Sequence, residues 1–342
     1  MTGALIVTSP GLHTTVQDLG RIGFQALGVP VAGALDPVAL RLANSLVGNP
    51  QRTAVFEFLY AGPTFEVTAT SLRVAIANAE AEILGTSDGV IPAWQSFRVV
   101  RGDKLRILAP VGSGCGYIAV EGGLDLPPVL GSRSTYSRSA IGGFNGRALV
   151  AGDQIPLVCD SVDARTELKL GVPLTMTLPK GLRVVLGPQD DHFTQAALDA
   201  FLSEEFRVSK QADRMGLRLD GPQLPHREGY NIVSDGIVTG AIQVPGSGQP
   251  IVLLADHQST GGYPKIATVI SADLPAAGRL MPGNAIHFTA ISVKEAEEAA
   301  RQLEKDIERS AAKLVPAATA RSLSEVALYS DNLISGVVNA MD

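Results

Sequence analysis

The chain has 342 residues, 45% hydrophobic and 18% charged, with a net charge of −6 and a pI near 5.5. Such a length exceeds one ordinary core and predicts two domains. An acidic balance without a Lys/Arg cluster speaks against nucleic acid as a partner, and no window holds the ~18 uninterrupted apolar residues of a membrane span. The start, MTGALIVTSPGLHTT, lacks a basic n-region and a long apolar h-region, so no signal peptide is expected. Cys115 and Cys159 are the only cysteines, which suits a reducing compartment; the expected location is cytoplasmic.

In chain order, Asp36 as N-cap and Pro37 at the first helical position open a helix. Val38, Leu42, Leu46 and Val47 follow at helical spacing until Gly48 stops the run. Short apolar runs at 72–76, 105–108, 117–120 and 182–186, punctuated by Gly, Pro, Asn or Asp, read as strands. Residues 190–203 (DDHFTQAALDAFLS) read as a second helix. Two further core strands, Pro250–Leu254 and Ile266–Ile270, flank the polar stretch 255–265. Ser292 and Glu295 form a capping box ahead of a third helix, 293–313, whose heavy charge places it on the surface. VPAATA at 315–320 reads as a linker, and residues 321–342 as a last short helix whose apolar LISGVV (333–338) needs a docking surface.

Closely spaced strands and 36 glycines with 21 prolines favour barrels or sandwiches over a βαβ sheet. An internal echo points to duplication. LGSRST (130–135) precedes GRALVAGDQI (146–155), as ADHQST (255–260) precedes GRLMPGNAI (278–286). Upstream, GALDPVALRLA (33–43) parallels ADRMGLRLDG (212–221). The expected architecture is mainly β: two related barrels, 1–165 and 166–292, and a C-terminal helix with a docking tail, 293–342.

No P-loop and no G-x-G-x-x-G before a helix is present, and no H-x-x-x-H or H-E-x-x-H pair supports zinc. Cys115, leading into the strand YIAV, reads as a small core residue. No Met-Lys-Met segment offers a lysine for covalent biotin. Three polar constellations remain. Asp18 and Arg21, in TTVQDLGR near a helix start, suit either turn chemistry or an anion. Asp213-Arg214-Met215-Gly216 reads first as a structural tie. The stretch from Asp256 to Lys265 is the strongest. Asp256, His257 and Lys265 can exchange protons or carry charge, Gln258, Ser259 and Thr260 offer hydrogen bonds, Gly261 and Gly262 admit a ligand, and Tyr263 adds a stacking face.

These segments, GLHTTVQDLGRIGFQALGVPVAGALDPVALRLAN, ADRMGLRLDG, SDGIVTGAIQVP and ADHQSTGGYPKIATVISADL, resemble the family of allophanate hydrolase subunit 2 and KipA over roughly residues 5–295. Its members are also described as the C subunit of 5-oxoprolinase and as biotin-dependent carboxyltransferases. The resemblance implies two cyclophilin-like β-barrel domains. It implies partners resembling allophanate hydrolase subunit 1 (the B subunit of 5-oxoprolinase) and a LamB/YcsF-like A subunit, and hydrolysis of the small molecule 5-oxoproline to glutamate with ATP and its companion Mg²⁺. Urea carboxylase shares the fold, with a loop of the form Gly-Pro-Ser-x-Gly-Gly-Phe; the HQSTGGYP of residues 257–264 departs from it.

On this reading Lys265, Arg214 and Arg133 contact anionic groups, and Asp256 and His257 orient them or move protons. The loop from Gln258 to Tyr263 receives the substrate, and Asp18 and Arg21 complete the pocket or a subunit contact. The alternatives are a carboxyltransferase acting on a urea-like or amide acceptor with biotin supplied by another chain, and a KipA-type regulator of a KipI-like partner.

Overall fold

A computed structural model describes residues 3–85, 89–171 and 181–317; the expected helix at 321–342 and its LISGVV segment lie outside these. The architecture is mainly β, as expected, with four α-helices among the described residues: α1 Pro37–Val47, α2 Gln195–Ser203, α3 Leu274–Gly278 and α4 Val293–Ala312. A six-stranded sheet runs Gln154–Pro156, Ala4–Ser9, Thr64–Val67, Lys104–Pro110, Ala79–Leu84, Gly89–Ile91. A seven-stranded sheet runs His13–Gln17, Val55–Leu59, Cys115–Val120, Ser71–Ala77, Gln95–Val100, Leu168–Leu170, Leu314–Pro316. These two form the first body. The second body is one eight-stranded, nearly closed sheet built from strands between Leu182 and Ala290, antiparallel except where Leu182–Val184 runs parallel to Phe288–Ala290.

The central strands of the seven-stranded sheet, Val55–Leu59, Cys115–Val120 and Ser71–Ala77, are buried on both faces, which is why Leu72–Ile76 and Tyr117–Val120 read as largely apolar runs. Side chains alternate across a strand. Phe56, Phe58, Leu72, Val74, Ile76 and Ile118 therefore face the six-stranded sheet. Val55, Ala75, Ala77, Cys115, Tyr117 and Ala119 face α1 and the core of the second body. The small residues on that second face let α1 and the second body come close. The second body adds its own aromatic cluster, in which Phe201 of α2 stacks on Phe288 with ring centroids 4.5 Å apart.

α1 is capped as expected: Asp36 accepts from the Val38 and Ala39 N–H groups, and Gly48 (φ 81) closes the helix. α4 carries the expected capping box and docks on α1 through Ile307, which packs with Val38, Leu42 and Leu170. The short α3, not foreseen, approaches so closely that a Cβ on Gly278 would lie 2.2 Å from the Leu35 carbonyl oxygen.

Three expectations need correction. The helix expected at 190–203 begins only at Gln195. Residues 190–192 form a 3-10 turn, Phe193 is extended and fully buried, and Thr194 caps the helix by accepting from the Ala197 N–H. The expected linker starts as a strand, because Leu314–Pro316 pairs with Leu168–Leu170. Finally, segments 33–43 and 212–221 do not correspond: the first forms α1, whereas the second contains the strand Gly216–Asp220.

Ile307→Ala should destabilise the protein by about 2–4 kcal/mol, the usual cost of a large-to-small change at a buried aliphatic site, as read by urea unfolding. A loss below about 0.5 kcal/mol would show that the α1–α4 contact is dispensable.

Candidate functional site

Strand Gly216–Asp220 pairs antiparallel with Ile251–Leu253, and the ladder runs on beyond both strands. Leu254 N–H donates to the Met215 carbonyl and Asp256 N–H to the Arg214 carbonyl, both at 2.9 Å. Two segments far apart in sequence thus place Arg214 beside Asp256. Arg214 Nε donates to Asp256 Oδ2 (2.9 Å) and Nη2 to Asp256 Oδ1 (3.0 Å), a bidentate pair. Nη2 also donates to the Gly33 carbonyl (2.7 Å), and Nη1 to Glu57 Oε1, both on the first body. Glu57 Oε2 accepts from the Tyr117 hydroxyl (2.7 Å) and the Leu35 N–H (2.8 Å), while the Tyr117 oxygen accepts from the Asp36 N–H (2.7 Å). One hydrogen-bonded network thus runs from the α1 cap, across the seam, to Asp256.

Glu57, Arg214 and Asp256 are respectively 1%, 5% and 7% exposed. Burial alone would lower the Arg214 pKa, but Asp256 and Glu57 outweigh it and push the value up, so the cation is permanent. Burial, with Cys115 and Glu57 nearby, raises Tyr117 well above its ordinary range, keeping it a neutral donor.

This network forms part of the wall of a cavity of about 310 Å³ between the bodies. Leu12, Leu35, Leu59, Leu217, Leu254 and Leu280 make its apolar surface; His13, Tyr60, Arg138, Asp213, Arg214 and Asp256 add polar groups. Tyr60 holds φ at 58°, a conformation that costs a bulky residue energy. Arg138 and Asp213 face each other at 3.9 Å, both well exposed. His13 stays neutral, its pKa lowered by burial and by the Arg214 charge; among the described residues its Nδ1 has no partner.

The sequence-derived candidates separate into distinct places. Arg214 and Asp256 line the seam cavity. His257 is fully buried and tied, Nε2 to Thr239 Oγ1 (3.1 Å) and Nδ1 to the Gln258 carbonyl (2.6 Å). Lys265, 3% exposed, donates to Asp235 on a short ribbon in which Asp235–Gly236 pairs with Thr260–Gly261. Gln258 bonds Gln243; Gly262 accepts from the Ile232 N–H and Ser259 from the Ile237 N–H through their carbonyls, and Tyr263 is 40% exposed. Asp18 and Arg133 line another cleft, with Arg21 buried behind Asp18. Sequence reasoning missed Glu57, Tyr117, His13 and Arg138. Glu57 had a signal: a lone carboxylate within the apolar strand VFEFL needs a buried partner. Among the described residues no His/Cys/Asp/Glu group could hold a metal, and no helix is long and apolar enough to cross a membrane.

The fold and the seam cavity define a mainly β protein with a small-molecule-sized site between two sheet bodies. Residues 27–290 match the family described as carboxyltransferase domain, subdomain A and B, and the chain belongs to that family. It is 37% identical over 313 residues to the C subunit of 5-oxoprolinase from Escherichia coli (strain K12), covering 91% of this chain and 98% of that protein. The solved protein TTHA0988 superposes with a TM-score of 0.74 at 40% identity, covering 84% of this chain and 56% of that one. The K. lactis urea amidolyase structure superposes with a TM-score of 0.80 at 28% identity, over 92% of this chain but only 21% of that one. The chain therefore spans about half of the first solved relative and about a fifth of the second.

Arg214→Met should destabilise the protein by about 3–5 kcal/mol in urea unfolding, because Glu57 and Asp256 would remain buried without their cation. A loss under about 1 kcal/mol would show that the seam does not depend on Arg214. A second expectation concerns acid. Burial lowers the pKa of His257, as it does that of His13, from the ordinary 6.5. Below 6.5 the unfolded chain takes up protons that the folded chain refuses. Their contribution is thus complete above pH 6.5 and is lost as the pH falls towards the folded value. Tm measured from about pH 8 to about pH 5 should drop on the acid side, and His257→Gln should flatten the drop. An unchanged profile would remove His257 as a cause.

Proposed function

We propose that the chain is the C subunit of an ATP-dependent 5-oxoprolinase, active in complex, which hydrolyses 5-oxoproline to glutamate. The observation that carries the reading is the near end-to-end likeness to the E. coli 5-oxoprolinase C subunit, 98% of whose length is matched. A B-type partner resembling allophanate hydrolase subunit 1 and a LamB/YcsF-like A-type partner complete the enzyme, and the two sheet bodies correspond to the two cyclophilin-like domains of this chain.

The seam cavity supports this chemically. 5-Oxoproline is a small ring with one carboxylate, and leucine walls suit the ring. Arg138, paired only loosely with Asp213 at 3.9 Å in an exposed setting, is available to bind the carboxylate. His13, neutral and lining the cavity, can accept a proton during water attack and return it to the leaving nitrogen. ATP, with its Mg²⁺, would supply activation of the lactam carbonyl. Arg214 is committed to Glu57, Asp256 and Gly33, so we assign it to holding the site's geometry rather than to contacting the substrate anion. Lys265 and His257 hold the 258–263 loop in the same way, leaving Tyr263 free to meet substrate or partner.

The test is co-expression of the chain with B-type and A-type partners, following glutamate release from 5-oxoproline with and without ATP. Glutamate should depend on ATP and on this chain, and His13→Gln should lower kcat about 10²-fold, the scale of a lost general base. No glutamate from an assembled complex would overturn the reading. It would favour a carboxyltransferase using carboxybiotin from another chain, the reading that likeness to urea amidolyase supports.

A further inference from the structure

A second cleft, of about 520 Å³, opens on the first body and shares no lining residue with the seam cavity. Its walls include Arg52, Arg133 and Asp18, with Gly20 and Gly131. Arg133 is held by a built frame. Leu130 (φ 52) and Gly131 (φ 77), both left-handed, close a two-residue turn in which Val129 and Ser132 exchange backbone hydrogen bonds. A bulky residue in that conformation costs energy, so the surrounding contacts must enforce it.

Asp18 does the enforcing. Its Oδ1 accepts from Ser132 Oγ (2.6 Å), Ser134 Oγ (2.5 Å) and the Gly20 N–H (2.8 Å), and its Oδ2 from the Arg133 N–H (2.6 Å). The base of the Arg133 guanidinium is fixed as well, since Nε donates to the Leu126 carbonyl (2.5 Å).

The fork of Arg133 beyond Nε, by contrast, has no partner among the described residues. Arg52, on the turn between α1 and strand Val55–Leu59, has no carboxylate partner among them either. Asp18 keeps its negative charge in the same cleft, but it also faces Arg21, buried behind it, so Arg21, Arg52 and Arg133 together outnumber it. A pre-oriented guanidinium and a second cation in one cleft, neither paired with a carboxylate among the described residues, form a receptor for an oxyanion.

We infer that this cleft binds a phosphate-bearing anion, with Arg133 as the fixed forked donor and Arg52 as the second cation. Two positive charges match a diphosphate better than a single carboxylate, and the cleft has room for more than one phosphate group. The anion can come from a free inorganic species or from the phosphate chain of a nucleotide. The inference does not depend on the 5-oxoprolinase reading, because its test needs only the full chain and reads binding.

Isothermal titration calorimetry of the full chain with inorganic pyrophosphate, without added divalent cation, should show saturable binding. Arg133→Ala and Arg52→Ala should each weaken it about tenfold or more, the scale of a lost charge-assisted contact. Arg133→Lys, keeping the charge without the fork, should fall between, and Arg98→Ala on the exposed side of another strand should change nothing. Tighter binding of ATP than of pyrophosphate would identify the nucleotide as the source; equal or weaker binding would identify a free phosphate species. The absence of saturable binding, or wild-type affinity in the two alanine variants, overturns the inference. Arg52 sits on an exposed turn, so its variant remains decisive even if Arg133→Ala disturbs folding.

Discussion

The geometry of the seam rests on one buried cation, Arg214. It belongs to the second body, yet two of its partners, Glu57 and the Gly33 carbonyl, belong to the first. Without it, Glu57 and Asp256 would be buried carboxylates with no cationic partner among the described residues. A loop, a central strand and a neighbouring barrel must therefore meet in one relative position for all three charges to be satisfied. Hydrophobic contact brings the bodies together but tolerates sliding; a forked guanidinium does not. The cavity beside it inherits that fixed geometry, which a site for a small ring needs if a proton carrier is to sit within reach.

Much of the fold was legible because the underlying signals are local. Asp36-Pro37 and Gly48 bracket α1, and Ser292 with Glu295 start α4, through groups a few residues apart. The buried strands Ser71–Ala77 and Cys115–Val120 were legible as largely apolar runs, whereas Val55–Leu59, interrupted by Glu57, was not. The failures came where tertiary contacts outweighed local pattern. Phe193 carries helical spacing, but burying its ring in the second body requires an extended backbone. Val315 and Pro316 look like linker residues until the distant strand Leu168–Leu170 supplies their partner. GALDPVALRLA and ADRMGLRLDG share letters at matching places, yet Asp36-Pro37 imposes a helix on one, while the other pairs with Ile251–Leu253.

The candidate site was legible in part. Residue chemistry singled out Arg214 and Asp256, and their pairing follows from a ladder between segments about 40 residues apart. Residue type could not distinguish a charge facing a cavity from one already engaged, and both Lys265 and Arg214 are engaged. His13 and Arg138 passed unnoticed because nothing near them in sequence marks them; only the meeting of the bodies makes them neighbours of Asp256. Asp18, expected with Arg21 to complete the pocket or a subunit contact, and Arg133, expected to contact an anionic group, line a different cleft from Arg214 and Asp256.

The short strand Leu314–Pro316 has a further implication. Leu314 lies opposite Leu170 in an antiparallel ladder, so the chain leaves the first body and re-enters it at adjacent points. Everything between, including the whole eight-stranded sheet, is topologically an insertion whose two ends are register neighbours. The host's chain path could thus close directly across Leu170 and Leu314, although Glu57 and the sheet face carrying Val55, Ala75 and Ala119 depend on the inserted body for a cationic partner and for cover. The arrangement also tethers the inserted body at two nearby points instead of one. Two neighbouring anchors limit how far the inserted unit can separate from its host, while the Arg214 contacts with Glu57 and Gly33 fix its alignment.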